Sequence, residues 1–244
     1  MQDSGSCDSG FESQCPDKFM RINQYLAQQL QGGSRRGADR LIEEGRVKVN
    51  GKLAALGQTI DPAKDKITVE GRSVTKVKPQ QVTIALYKPA GVVSARKDEY
   101  NRPTIMEYLP KEFHHLKPVG RLDFESEGLI LMTSDGALIN QMTHPKYEKE
   151  KVYRLRLAQP VTERLMNRFT KGIELKEGLA KADRVEKVGR NDLEVVLHQG
   201  WNRQLRRMAE ACNNTVTRLV RVQFGPVVLG GLEPGKWKKV NIEK

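Results

Sequence analysis

The chain has 244 residues, 38% of them hydrophobic and 30% charged, a soluble globular balance that excludes global disorder and collagen-like repeats. No run reaches the ~18 apolar residues of a membrane helix, and residues 1–17 hold no Lys, no Arg and no apolar segment of the kind a secretory signal needs. Lys plus Arg number 42 against 30 Asp plus Glu, for a net charge of +12. The excess is not a tail: residues 17–81 carry 13 bases and 7 acids (+6), and residues 82–244 carry 29 bases and 20 acids (+9). That spread points to a polyanionic partner, nucleic acid ahead of a membrane surface.

Residues 1–16, rich in Ser, Gly, Asp, Gln and Cys, read as a disordered leader. Residues 19–72 read as a small module. Ile22, Leu26 and Leu30 recur at helical spacing, predicting a helix over 20–30 that Gly32-Gly33 ends. Ser34 is a candidate N-cap for a second helix reaching Glu44, with Ala38, Leu41 and Ile42 on its buried stripe and Gly45 as its stop. Val47 and Val49 alternate before Asn50-Gly51, a two-residue hairpin turn signal, and Ile67 and Val69 repeat the alternation. Residues 73–81 are polar and unpatterned and read as a linker.

Residues 82–244 form the larger domain. Strands are predicted at 82–87, 128–133, 152–157, 193–198, 216–222 and 227–232. Leu129-Ile130-Leu131-Met132 is apolar at every position, so it should be a central strand covered on both faces. Helices are predicted at 135–142, 163–171 and 203–212. Strands outnumber helices and do not alternate with them, which gives an α+β class with a mixed, largely antiparallel sheet and flanking helices.

The cysteines are Cys7, Cys15 and Cys212. An odd count without CxxC spacing argues against a disulfide framework or zinc site and fits a reducing, cytoplasmic setting. His114, His115, His144 and His198 are scattered, and no metal ligand set is predicted. Walker and Rossmann glycine signatures are missing, so no nucleotide cofactor is indicated.

Two basic and polar constellations carry chemistry. In the small module Arg35, Arg36, Arg40, Arg46, Lys48 and Lys52 run along a helix start and into the hairpin, a pattern that grips phosphates or simply makes a solvated face. In the larger domain, Gly120-Arg121-Leu122-Asp123 with Ser126 and Gly128 leads into the apolar strand and on to Thr133-Ser134-Asp135-Gly136. An aspartate there is held rigidly beside the sheet; taken alone, a turn or capping role is its commoner fate. Strand alternation puts Tyr153, Leu155 and Leu157 on one face and Arg154 and Arg156 on the other, so Tyr153 faces inward as core or as an active-site wall. Arg206 taken alone is a surface helix partner for Glu210, four residues on.

The strings Met20–Ala27, Ser34–Val47 and Val49–Lys52 closely resemble the α-L RNA-binding motif, which implies binding of structured RNA. In the larger domain Lys88-Pro89-Ala90-Gly91, Arg102-Pro103-Thr104, Gly120–Gly136, Lys151-Val152-Tyr153 and Asn202–Met208 resemble, in order, the motifs of pseudouridine synthases. The resemblance spans about residues 20–240. It points to the branch that isomerises single uridines in ribosomal RNA, the RsuA/RluB/RluE/RluF type. It implies an enzyme without cofactor or metal. Asp123 would be the nucleophile on the sugar C1′ or the base C6, Arg206 its basic partner, and Tyr153 the ring stacked on the uracil. Leu205 would be the apolar contact below the base. Arg121 would hold the strand or fill the stack left by the flipped nucleotide. Arg203, Arg207 and Lys149 would bind phosphate. The family has a polar residue where Tyr87 stands and a basic one where Trp201 stands. The substrate expected is 23S rather than 16S rRNA, as naked RNA or a precursor particle, acted on by a monomer. The alternatives are a non-catalytic RNA-binding ribosome-assembly factor, 16S rRNA as the substrate, or a different RNA enzyme with the same N-terminal module, such as a methyltransferase or a tyrosyl-tRNA synthetase, against which the missing cofactor and nucleotide signatures speak.

Overall fold

The computed structural model describes residues 19–30, 33–74 and 81–242, and the chain divides into two compact units, Met1–Pro79 and Gln80–Lys244. The leader expected at 1–16 lies outside the described residues, as does most of the linker expected at 73–81.

In the first unit, β1 (Met20–Arg21) leads into α1 (Ile22–Gln29), then α2 (Arg35–Glu43), β2 (Val47–Val49), β3 (Lys52–Leu53), β4 (Thr59–Ile60), β5 (Ile67–Val69) and β6 (Arg72–Ser73). Ser34 caps α2 by accepting the N–H of Gly37 at 3.0 Å, and Gly45 leaves the helix at φ +68°. Asn50 and Gly51 both take positive φ, the backbone a two-residue hairpin of this hand requires. The helix expected from residue 20 starts two residues later. Met20 and Arg21 are extended and pair with Ile60 and Thr59, and the N–H of Ile22 donates to Gln58 O, so tertiary pairing overrides the helical spacing. Ile22, Leu26, Ala38, Ile42, Val47, Ile60 and Ile67 make the core.

The second unit holds β7 (Thr83–Lys88), β8 (Lys117–Val119), β9 (Glu127–Thr133), α3 (Gly136–Thr143), β10 (Lys151–Leu157), α4 (Glu163–Lys171), β11 (Ile173–Leu175) and β12 (Gly178–Ala180). It continues with β13 (Arg184–Lys187), β14 (Asp192–Leu197), α5 (Gln204–Glu210), β15 (Val216–Phe224), β16 (Val227–Val228) and β17 (Trp237–Lys239). Nine strands form one sheet with the path β13-β14-β10-β15-β9-β7-β17, with β16 added to β15 and β8 to β9. Every pairing in it is antiparallel except β15 with β9. The fold is α+β with a mixed, largely antiparallel sheet.

Strand β9 sits inside this sheet and is covered on both faces, as its unbroken apolar run requires. Leu129 and Leu131 pack with Ala85, Leu138 and Phe224 on one side; Ile130 and Met132 pack with Ile84, Leu86, Ile105 and Leu116 on the other. A third core gathers Leu155, Leu157, Phe169, Leu193, Val195 and Met208. The strand expected over 227–232 stops at Val228, because the chain turns through Gly230 at φ +60°.

Candidate active site

Asp123 lies in the loop between β8 and β9, and its backbone is clamped from both sides. Buried Ser94 donates its hydroxyl to Leu122 O at 2.8 Å and accepts the Leu122 N–H at 3.1 Å. Phe124 O accepts the Gly91 N–H at 2.8 Å and the Lys88 ammonium at 3.4 Å. Lys88, fully buried, also donates to Pro89 O and Val92 O, both at 2.8 Å. Three carbonyls thus gather around one nitrogen, and the Lys-Pro-Ala-Gly string acts as the bracket for the aspartate loop. Burial lowers the Lys88 pKa to about 8, with Asp123 and Glu127 pulling it back up. Among the described residues no side chain hydrogen-bonds or ion-pairs with the half-buried Asp123 carboxylate. Lys88 and Arg203 are cations whose fields reach it.

The carboxylate borders a cavity of about 520 Å³. Tyr153 of β10 and Leu205 of α5 line it too, together with Arg121, Lys149 and Arg203. Tyr153 follows a register shift between Val152 and Tyr153 against β15, packs against the third core, and is half-buried; Arg154 and Arg156 point the other way and pair with Glu194 and Asp192. The cavity therefore offers a carboxylate, a phenol ring and an apolar floor, rimmed by cations. That set suits a planar uncharged base with its sugar and phosphate.

Arg206 and Arg207 do not line this cavity. Arg206 is buried; it donates to Val216 O at 3.0 Å and to Glu125 O at 3.4 Å, and its Nε lies 3.7 Å from the Glu125 carboxylate. The pairing with Asp123 implied by the resemblance is not the arrangement seen, nor is one with Glu210. Arg207 makes a two-pronged pair with Glu177, at 2.7 and 3.0 Å.

Arg221, Lys151, His198 and Trp201 also line the cavity and were given no site role in the sequence reading. Arg221 of β15 is buried, donates to Leu129 O at 2.7 Å and stacks over the Phe224 ring at 4.7 Å. Local pattern does not single it out: it shares the parity of Leu219, but Thr217 and Gln223 lie on that parity too. Lys151 donates to Lys149 O and His198 O, and burial lowers its pKa to about 8 with help from Arg221, against Asp183. His198 is held by Asp183 at 2.8 Å. Trp201 closes the same wall, where the resemblance places a basic residue.

In the first unit Arg35, Arg36, Arg40, Lys48 and Lys52 are exposed, and Arg46 pairs with Glu44 and Glu70. The first turn of α2 has no acid and two arginines, positive charge at the positive end of the helix dipole. A fold gains nothing from that placement, whereas an anion would. No group of three or more His, Cys, Asp or Glu side chains among the described residues is placed to hold a metal.

The sequence profile of the RNA pseudouridylate synthase family matches residues 82–211, and that of the S4 domain matches residues 20–67. The chain belongs to the RNA pseudouridylate synthase family. It is 39% identical over 229 residues to an uncharacterised RNA pseudouridine synthase of Aquifex aeolicus, covering 91% of this chain and 90% of that one. It is 38% identical over 209 residues to ribosomal large subunit pseudouridine synthase B of Bacillus subtilis, covering 83% and 84%. Against the synthase of that name from Xylella fastidiosa it spans about half, 48%, of the relative's length. A crystal structure titled as a pseudouridylate synthase superposes with a TM-score of 0.66 at 30% identity, over 91% of this chain and 96% of that one. This synthase thus pairs an S4 domain with an isomerase domain, and Asp123, Tyr153 and Leu205 are among the residues that line its cavity. No helix among the described residues is long and apolar enough to cross a membrane.

Proposed function

We propose that this synthase converts one uridine of 23S rRNA to pseudouridine, with Asp123 as the nucleophile. The carrying observation is that Asp123, Tyr153 and Leu205, from three separate elements, border one cavity. The relatives named for the large ribosomal subunit supply the RNA class.

In the reaction the C1′–N1 bond breaks, the uracil turns, the C1′–C5 bond forms, C5 gives up its proton and N1 gains one. Atoms and electrons balance within the nucleotide, so no cofactor or metal is needed. Asp123 acts ionised, on C1′ or C6. The Tyr153 ring stacks on the uracil, its hydroxyl serving proton transfer, and Leu205 supports the base from below. The target nucleotide must leave its helix, at a cost of a few kcal/mol. Arg203 and Lys149 at the rim, Arg207 beside it, and Arg35, Arg36, Arg40, Arg46, Lys48 and Lys52 of the S4 domain offset that cost through phosphate contacts. Arg121 fills the space the nucleotide leaves. The enzyme works as a monomer in the cytoplasm, its domains being residues 19–72 and 82–244.

The test uses unmodified 23S and 16S rRNA tritiated at uridine C5, and ribosomal precursor particles. Release of tritium by the parent protein and none by Asp123→Asn, with RNA binding retained in both, is the expected result. Release from 16S alone would move the substrate, and binding without release from any RNA would leave an assembly factor.

A further inference from the structure

Beside the cavity lies a groove of about 390 Å³ that Glu125, Arg203, Arg206, Glu210 and Thr217 help to line. Among the described residues Arg203 is the one side chain that borders both the cavity and the groove. It is a non-glycine residue held at φ +49°, so the fold fixes it on the shared rim against its own backbone preference.

The groove already contains an anion. The Glu125 carboxylate accepts from Arg203 Nη1 at 2.8 Å and stands 3.7 Å from Arg206 Nε. That Nε is buried and has no hydrogen-bond partner. Arg206 is 9% exposed at its side chain, while Glu125 is 55% exposed and can swing into solvent. The two guanidinium groups lower the pKa of Glu125, Arg203 the more strongly. One carboxylate thus satisfies one arginine and falls short of the other. A phosphodiester, with oxygens spread tetrahedrally, can serve both.

Resting on the proposed reading that Arg203 meets RNA phosphate, we propose that Glu125 is a placeholder for a backbone phosphate of the substrate. In the free protein it keeps Arg203 ordered and offsets part of the charge of the two arginines. A phosphate flanking the flipped uridine takes its place, and the carboxylate turns out to solvent. The exchange is anion for anion, so the parent protein releases no solution anion from this groove when RNA binds.

Removing the carboxylate should therefore strengthen RNA binding, the reverse of what loss of a structural ion pair does. Glu125→Gln and Glu125→Ala are compared with Glu194→Gln, which removes the same charge from the Arg154 pair on the other side of the sheet. The probe is a uridine-containing rRNA fragment, titrated at several salt concentrations. Both Glu125 variants are expected to bind about three- to tenfold more tightly. Their log K should fall more steeply with log salt than the parent's, because solution anions now occupy the groove and are released when RNA binds. Glu194→Gln should do neither, and the gain should vanish in Glu125→Gln/Arg203→Gln. Unchanged or weaker binding by the Glu125 variants, with Arg203→Gln weakened, overturns the placeholder alone. Unchanged binding by Arg203→Gln overturns the phosphate reading of Arg203 and the placeholder with it.

Discussion

Gly128, the second residue of β9, takes φ +104°, and its backbone lies against that of Arg221 in the parallel pairing of β9 with β15. A Cβ placed there would stand 2.4 Å from Arg221 O and 2.7 Å from Arg221 N, below the 3.0 Å that such contacts respect. Both obstructing atoms are main chain, so no rotamer change relieves the clash. Gly128→Ala must open the seam by about 0.6 Å, the difference between 3.0 and 2.4 Å. Overpacking of this kind costs ~1–3 kcal/mol, and the left-handed backbone adds ~1–2 kcal/mol. The sum, ~2–5 kcal/mol, is a large part of a typical domain's ~5–15 kcal/mol. In a unit of this size it lowers the melting temperature by roughly 4–20 °C. The protein's two tryptophans, Trp201 and Trp237, both lie in the larger unit, so their fluorescence reports that unit alone. Because Arg221 also stands in the cavity wall, tritium release should fall even where the variant is fully folded. A melting temperature within 1 °C of the parent, with unaltered turnover, would refute the close-approach argument.

Ser94→Ala removes the hydroxyl that both donates to and accepts from the Leu122 backbone, and should cost about 1–3 kcal/mol by urea titration followed by tryptophan fluorescence. Tyr153→Phe keeps the stacked ring and loses the hydroxyl; single-turnover tritium release should slow by about 10²–10⁴ while RNA affinity holds. Lys88 and Lys151 each have a folded pKa of about 8 against the ordinary lysine value of 10.5. Between pH 8 and about 10 the unfolded chain therefore holds more protons, and these two groups make stability rise with pH. Melting curves across that window should show the rise, and Lys151→Met should flatten it; an unchanged slope in the variant would refute the assignment.

The parts of this protein readable in its sequence are those where one local pattern decides the outcome. Leu129–Met132 is apolar at every position, and only a strand buried on both faces accommodates it. Ser34, Gly45 and Asn50-Gly51 supply the cap, the stop and the turn that the backbone then adopts. The losses came where distant segments decide. Met20 and Arg21 follow Thr59 and Ile60 rather than the helix they precede. Arg221 and Lys88 gain their meaning from Leu129 O and Phe124 O, contributed by other elements. The string Gln204-Leu205-Arg206 resembles a family motif, yet the guanidinium's partners are chosen by Glu125 and Val216, which no local spacing around it reveals.

The parallel seam between β9 and β15 sets an order in time. Its two rungs join Glu127 to Val220 and Gly128 to Arg221, more than ninety positions apart along the chain. Contacts that close so long a loop form late. A ribosome making this protein has delivered the whole small RNA-binding unit, and the Asp123 loop, well before it delivers the strand that completes the cavity. The nascent chain passes through a stage equipped to hold RNA and unable to alter it, and gains its chemistry with the emergence of β15. Pulse hydrogen exchange on stalled nascent chains would locate that moment, as protection of the Leu129 amide appearing only once Phe224 has cleared the exit tunnel.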